Sequence, residues 1–322
     1  MSEHLPSHDD FIRNILSNKE IAVEYFKNYL PDFVRERLDF TKLEQLPGTY
    51  LSDELKKTLS DIIYSCGLKD GKYSIKVSLL IEHKSHPDKY TPVQIGGYIF
   101  SALQKQIQNK EPLSIVIPVL LYHGKATWQY RTLADLFEGL DKEWEQFLPS
   151  FEYIYNDLGR LSDSEIEALN NKFLAASFLA LKHSQEKEWI ERNATELFVL
   201  ASEGPKGLTK GFIIYLYSRG RLEEKILNSL PDPIKTDVMN TLDIYIEKGR
   251  KEGRKEGFEK GIEKGRVEGI EEGIEKGIEK GKEQIVQNLI NTGKFTVSEI
   301  ANFAGVPETF VKKVRSSMNK KN

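Results

Sequence analysis

From Tyr73 the odd positions Tyr73, Ile75, Val77, Leu79 and Ile81 are apolar while Ser74, Lys76 and Ser78 are polar, the period-2 alternation of a half-buried strand. This strand runs into Glu82-His83-Lys84, and Ile62-Ile63-Tyr64, after Ser60-Asp61, reads as its neighbour. Helical spacing appears earlier, in Phe11, Ile12, Ile15 and Leu16 and again in Ile21, Ala22, Tyr25 and Phe26, with a break at Ser17-Asn18. It predicts two short helices ending at Pro31. Residues 92–108 suit a further helix, with Pro92 in its first turn and Ile95, Ile99, Leu103 and Ile107 four apart. Leu113 to Tyr122 is an unbroken apolar run of the kind expected from a strand buried on both faces. From Ser162 to about Tyr245 the pattern is helical, with Phe173 to Leu181 as a well-buried helix and a break at Pro231 and Pro233. Strands, a helix, a central strand and then helices predict an α/β or α+β domain with a helical C-terminal extension.

The pattern changes near residue 246. Glycine recurs at every fourth position from Gly249 through Gly281, nine in all, and the nine basic and nine acidic residues between those ends cancel. A four-residue step turns about 400° around a helix, so the glycine stripe drifts by about 40° per repeat and cannot form a straight seam. Each glycine also costs about 0.8–1 kcal/mol relative to alanine. Pairs such as Lys248 with Glu252 and Glu256 with Lys260 return a few tenths each. The segment is therefore a marginal helix that associates with another copy, or a solvated spacer. Beyond it, Ile285, Val286, Leu289 and Ile290, then Thr296 to Ala304, then Pro307 to Arg315 predict three short helices. Thr296 to Glu299 fits a capping box, and Gly305 stands where a helix-turn-helix would bend. The expected organisation is residues 1–245 as the main domain, 246–281 as the charged repeat and 282–322 as a small helix-turn-helix-like module.

Composition adds limits. The 322 residues are 39% hydrophobic and 30% charged, a globular balance with the excess charge placed in the repeat. A net charge of −3 leaves no chain-wide basic footprint, so any nucleic-acid contact must use local patches such as Lys312, Lys313, Arg315, Lys320 and Lys321. The single cysteine, Cys66, excludes an intramolecular disulfide framework and fits a reducing cytoplasm. The first ten residues carry no secretory pattern, and no apolar stretch approaches the ~20 residues of a membrane span.

The chemistry concentrates on the strand pair. Residues two apart on a strand share a face about 6–7 Å apart, so Glu82 and Lys84 converge, and Asp61 joins them if its strand pairs alongside. Two carboxylates and an ammonium suit a magnesium site at which water attacks a phosphodiester. The plainer alternative is a surface salt bridge. His83 and His86, with Cys66 some way off in sequence, offer too few clustered ligands for structural zinc. His83 is expected on the face opposite Glu82, and His8 with Asp9 to cap a helix. No Gly-x-Ser-x-Gly elbow supports serine hydrolysis.

An acid, a gap of about twenty residues and Glu-x-Lys ending a strand resembles the PD-(D/E)XK nucleases. Gln94-Ile-Gly-Gly-Tyr98 on the following helix and the apolar strand after it strengthen the likeness. More narrowly, His8-Asp9-Asp10-Phe11, Leu30-Pro31, Ser60-Asp61-Ile62, Ile81-Glu82-His83-Lys84-Ser85 and Pro118-Val119-Leu120-Leu121-Tyr122-His123-Gly124 through Trp128 resemble the Rpn group, the recombination-promoting nucleases also called YhgA-like. The match covers roughly residues 8–135, and the Gly-Glu-rich repeat and terminal module are also similar to that group's tails. Lys84 stands where many members carry Gln, and Gln94 where Arg is frequent. The resemblance implies a magnesium-dependent DNA endonuclease linked to recombination or mobile elements. Asp61, Glu82 and the backbone carbonyl of His83 would hold the metal, Lys84 would orient or deprotonate the attacking water, and Gln94 and Tyr98 would position lysine, water or phosphate. The competing expectation is a catalytically silent nuclease-fold protein that binds DNA or assembles, and a third is a nuclease acting on RNA.

Overall fold

The computed structural model describes residues 6–46, 62–69, 77–220 and 224–319, with the side chains of 77–82 excluded. The chain divides into two compact units, Met1–Ile246 and Glu247–Asn322.

In the first unit, strands β1 (Leu38–Gln45), β2 (Ile62–Leu68), β3 (Val77–Lys84), β4 (Ile115–Tyr122) and β5 (Ile154–Asp157) form one mixed sheet in sequence order. The first three are antiparallel, and β3, β4 and β5 run parallel. A parallel pair needs a crossover. Helix α3 (Thr91–Gln108) supplies it between β3 and β4. Two further helices, α1 (His8–Leu16) and α2 (Lys19–Tyr29), fall where the 3.6-residue spacing predicts, capped by Ser7 and Asn18.

Alternation along β4 assigns the two faces of the sheet. Val119 and Leu121 join the large core made with α1, α2 and the helices α4 (Lys172–Lys182), α5 (Lys187–Ser202) and α6 (Lys206–Arg219). Leu120 and Tyr122 point the other way, into a smaller cluster with Ile95, Trp128 and Tyr153. Tyr64 lies wholly within the large core and donates its hydroxyl to the carbonyl of Leu16 at 2.6 Å, tying β2 to α1. Cys66 is sealed in the same layer, its sulfur 3.3 Å from the carbonyl oxygen of Asp39, and burial pushes its thiol up to about 11.

Two expectations need correction. Strand β4 is not buried on both faces throughout: Ile115 is 56% exposed, because β5 pairs only with Val119 to Tyr122. The four-apart stripe on α3 does not stay inside. Ile95 is buried but Ile107 is 62% exposed, since a spacing of four drifts about 40° per step, and the buried positions are instead Ile95, Tyr98, Ala102 and Gln106. Strand β1 carried no readable alternation, being mostly polar with only Leu38 and Leu43 fully buried.

Helix α7 (Asp232–Asn291) begins after Pro231 and runs through the whole glycine repeat. The pairs Lys248–Glu252 and Lys260–Glu256 form at 3.8 and 2.7 Å. A Cβ added at any glycine from Gly253 to Gly281 would meet nothing within 4 Å. In the second unit, the end of α7, helix α8 (Val297–Ala304) and helix α9 (Glu308–Asn319) enclose a small core of Val286, Ile300, Ala301, Ala304, Val311 and Val314. The Thr296 and Glu299 capping box is present, and Gly305 takes the left-handed conformation at φ 60°. Among the described residues no helix is long and apolar enough to cross a membrane.

Candidate active site

Lys84 ends β3, beside Tyr122 at the end of β4. The carboxyl ends of parallel strands are where open α/β sheets gather ligands. Because alternate side chains leave a strand on opposite faces, Lys84 and His83 part company here. The Lys84 ammonium donates to Oε1 of Gln94 at 2.8 Å and lies 3.5 Å from Oδ2 of Asp88. Gln94 closes the triangle, donating from Nε2 to the same Asp88 oxygen at 3.1 Å. The other Asp88 oxygen accepts the Tyr90 backbone N–H at 2.9 Å, which fixes the carboxylate at the entry to α3. Gln94 thus has both ends of its amide committed. Tyr98, one turn further along α3, is 1% exposed.

Of the sequence-derived site residues, Lys84 and Gln94 are therefore brought into contact, and Tyr98 is buried on the same helix. Asp61 lies outside the described residues, as does the Glu82 side chain. Ile62, which follows Asp61, pairs with Ile81, which precedes Glu82. Asp88 was not singled out in the sequence; the available signal was an acid four residues after the lysine and just before a helix start.

The opposite face holds a second polar cluster. His83 is buried, and its Nδ1 meets the Asp9 carboxylate at 2.8 Å. Its ring stacks on His123 at 4.7 Å and 9°. His123 uses Nδ1 against the carbonyl of Leu181 at 3.2 Å, and the ring of His8 lies 4.7 Å from that of His123. This confirms His83 on the side away from Lys84, and it corrects the reading of His8 and Asp9 as caps. Ser7 caps α1, while His8 reaches the Tyr215 hydroxyl at 2.8 Å and Asp9 reaches His83. Nε2 of both His83 and His123 is buried without a hydrogen-bond partner among the described residues. Among the described residues no three His, Cys, Asp or Glu side chains are grouped to hold a metal.

Burial keeps His123 and His8 neutral. It lowers His123 to about 2, helped by His83 and His8, and His8 to about 4, helped by Arg219. A histidine depressed in the folded state binds its proton only on unfolding, so stability is full above the ordinary value near 6.5 and falls as the pH drops below it. Between pH 7 and pH 5 His123 alone should remove about 2 kcal/mol, with a smaller share from the partly exposed His8. Urea midpoints at the two pH values should show the loss, and His123→Gln should flatten it. Equal midpoints for the unaltered protein would refute this account.

Residues 6–207 match the family described as "Putative transposase, YhgA-like". Among named relatives, the chain is similar to recombination-promoting nuclease RpnD of Escherichia coli O157:H7, 26% identical over 183 residues that cover 56% of this chain and 69% of the relative. Recombination-promoting nuclease RpnC of Escherichia coli strain K12 is 25% identical over 225 residues, 67% of this chain and 72% of the relative. The inactive recombination-promoting nuclease-like protein RpnE of the same strain is 24% identical over 184 residues, 57% of this chain and 60% of the relative. No solved structure matches the chain. The names of these relatives support a role in nuclease or recombination chemistry at low identity. With more than half of its length matched by that family's model, the chain belongs to the YhgA-like transposase family.

Proposed function

We propose that the chain is a magnesium-dependent DNA endonuclease of the PD-(D/E)XK type, hydrolysing phosphodiester bonds in recombination or transposition. The observation that carries this reading is the Lys84 ammonium at the end of a central strand, bonded to Gln94, which Asp88 in turn anchors. Held between Gln94 and Asp88 at the end of its strand, the Lys84 ammonium is the donor that this reading directs at water or a phosphate oxygen. In this reading Asp61, Glu82 and the carbonyl of His83 hold the metal, an all-oxygen donor set that suits magnesium. The ion, when bound, supplies charge neutralisation at the phosphate and an acidified water. Lys84 orients that water and offsets charge on the phosphate, Gln94 fixes the lysine, and Tyr98 supports the helix that carries Gln94.

The test compares plasmid nicking in magnesium and in EDTA for the unaltered protein and for Glu82→Ala, with structured RNA as a second substrate. Magnesium-dependent nicking lost in Glu82→Ala supports the reading, whereas cleavage of RNA alone reassigns the substrate. A second reading is favoured by the relative named inactive: a silent nuclease-fold protein that binds DNA or assembles. It requires no magnesium-dependent cleavage by the unaltered protein. Self-association through the repeat belongs to the same proposal. Removing residues 249–281 should lower the solution mass to that of one chain, and an unchanged mass discards the repeat as the contact.

A further inference from the structure

The second unit carries a feature that the cleavage reading leaves unused. Helix α8 ends at the left-handed Gly305, Val306 returns its N–H to the carbonyl of Ala301 at 3.0 Å, and α9 starts after Pro307. Two helices joined by a three-residue turn pack with the end of α7 around their own core, in the order of a helix-turn-helix, and both keep an exposed face. The core takes Val311 and Val314 from α9. Opposite them, by the 3.6-residue period, lie Thr309, Lys312, Lys313 and Ser316, all exposed. From residue 284 onward the sequence has six cations, Lys294, Lys312, Lys313, Arg315, Lys320 and Lys321, against Glu299 and Glu308, although the whole chain is net negative at −3. Of these, Lys312, Lys313 and Arg315 lie on α9 itself, which also carries the exposed hydroxyls of Thr309 and Ser316.

We propose that α9 docks in the major groove of duplex DNA, with Lys312 and Lys313 on phosphates and Thr309 and Ser316 toward base edges. The groove is wide enough for one α-helix, and cations paired with phosphates supply the sequence-independent part of binding. Glu308 works against this. Its carboxylate lies 3.5 Å from the Lys312 ammonium and adds negative charge at the leading end of the helix. The proposal does not depend on the first unit being a nuclease.

The full-length protein in EDTA, where no cleavage can occur, is titrated with a 25-base-pair duplex over a range of salt concentrations. Lys312→Gln combined with Lys313→Gln should weaken binding about tenfold and lower the slope of log affinity against log salt by about 2, near 0.9 for each lost phosphate contact. Glu308→Gln should shift affinity the other way, upward by a few fold. These side chains are exposed, so unchanged circular dichroism and melting should accompany both changes. Unchanged affinity and slope in the lysine variant, or the same direction of change in both variants, overturns the proposal. So does a loss seen only on structured RNA of equal length. A protein seated on the exposed Phe295 and Phe303 pair corresponds to the first of these overturning results. Magnesium-dependent cleavage by the unaltered protein judges the nuclease reading separately.

Discussion

Lys84→Ala should reduce magnesium-dependent DNA cleavage by about 10²- to 10³-fold, the usual cost of removing one positioned charge-stabilising donor. The loss should fall on turnover, with duplex affinity in EDTA unchanged within about threefold, because one lysine accounts for at most one phosphate contact. Folding should survive. The Lys84 and Asp88 side chains are 20% and 31% exposed, so water can solvate what the substitution leaves behind, and a partly exposed ion pair contributes no more than about 1 kcal/mol. Asp88→Asn should weaken cleavage less, since Gln94 loses its anchoring carboxylate while the lysine remains. A Lys84→Ala protein that nicks plasmid at the original rate would remove the central residue of the proposed mechanism.

Gly124→Ala should be strongly damaging to the first unit. An added Cβ would overlap the carbonyl oxygen of Ser85 and the ring and hydroxyl of Tyr122. Neither can retreat. Ser85 follows the strand that ends in Lys84, and Tyr122 is 1% exposed with its hydroxyl on the carbonyl of Ala126 at 2.6 Å. Forcing a methyl into such a space costs about 3 kcal/mol or more, which in a unit of this size lowers the melting temperature by about 6–12 °C. Gly139 provides the contrast. It has a positive φ of 77° but open space around it, so alanine there incurs only the left-handed backbone penalty of about 1–2 kcal/mol. Thermal melts of the two variants should differ accordingly, and equal melting points would mean that the close approach at Gly124 relaxes easily.

The elements that the sequence made legible are those whose burial matches their period. Helix α4 is the clearest, with every residue from Phe173 to Leu181 buried, and α1 and α2 follow for the same reason. Strand β1 was invisible because an edge strand can remain polar, and β5 because four partly buried residues give too short a pattern. The site divides in a similar way. Glu-x-Lys announced Lys84, and helical spacing delivered Gln94 to it. Asp88, Asp9 and His123 come from a loop, the first turn of α1 and the end of β4, so their meeting depends on tertiary packing that no local period encodes. The face assigned to His83 followed from alternation alone, whereas the roles of His8 and Asp9 required knowing that α1 packs against the far side of the sheet.

Cys66 has a practical consequence. As the chain's single thiol, sealed in the core and protonated far above neutral pH, it should ignore maleimides under native conditions. A cysteine introduced on an exposed helix, for example Ser316→Cys, would then take up a fluorophore at one defined location without any prior removal of native sulfur, and the folded protein is ready for site-directed spectroscopy as it stands.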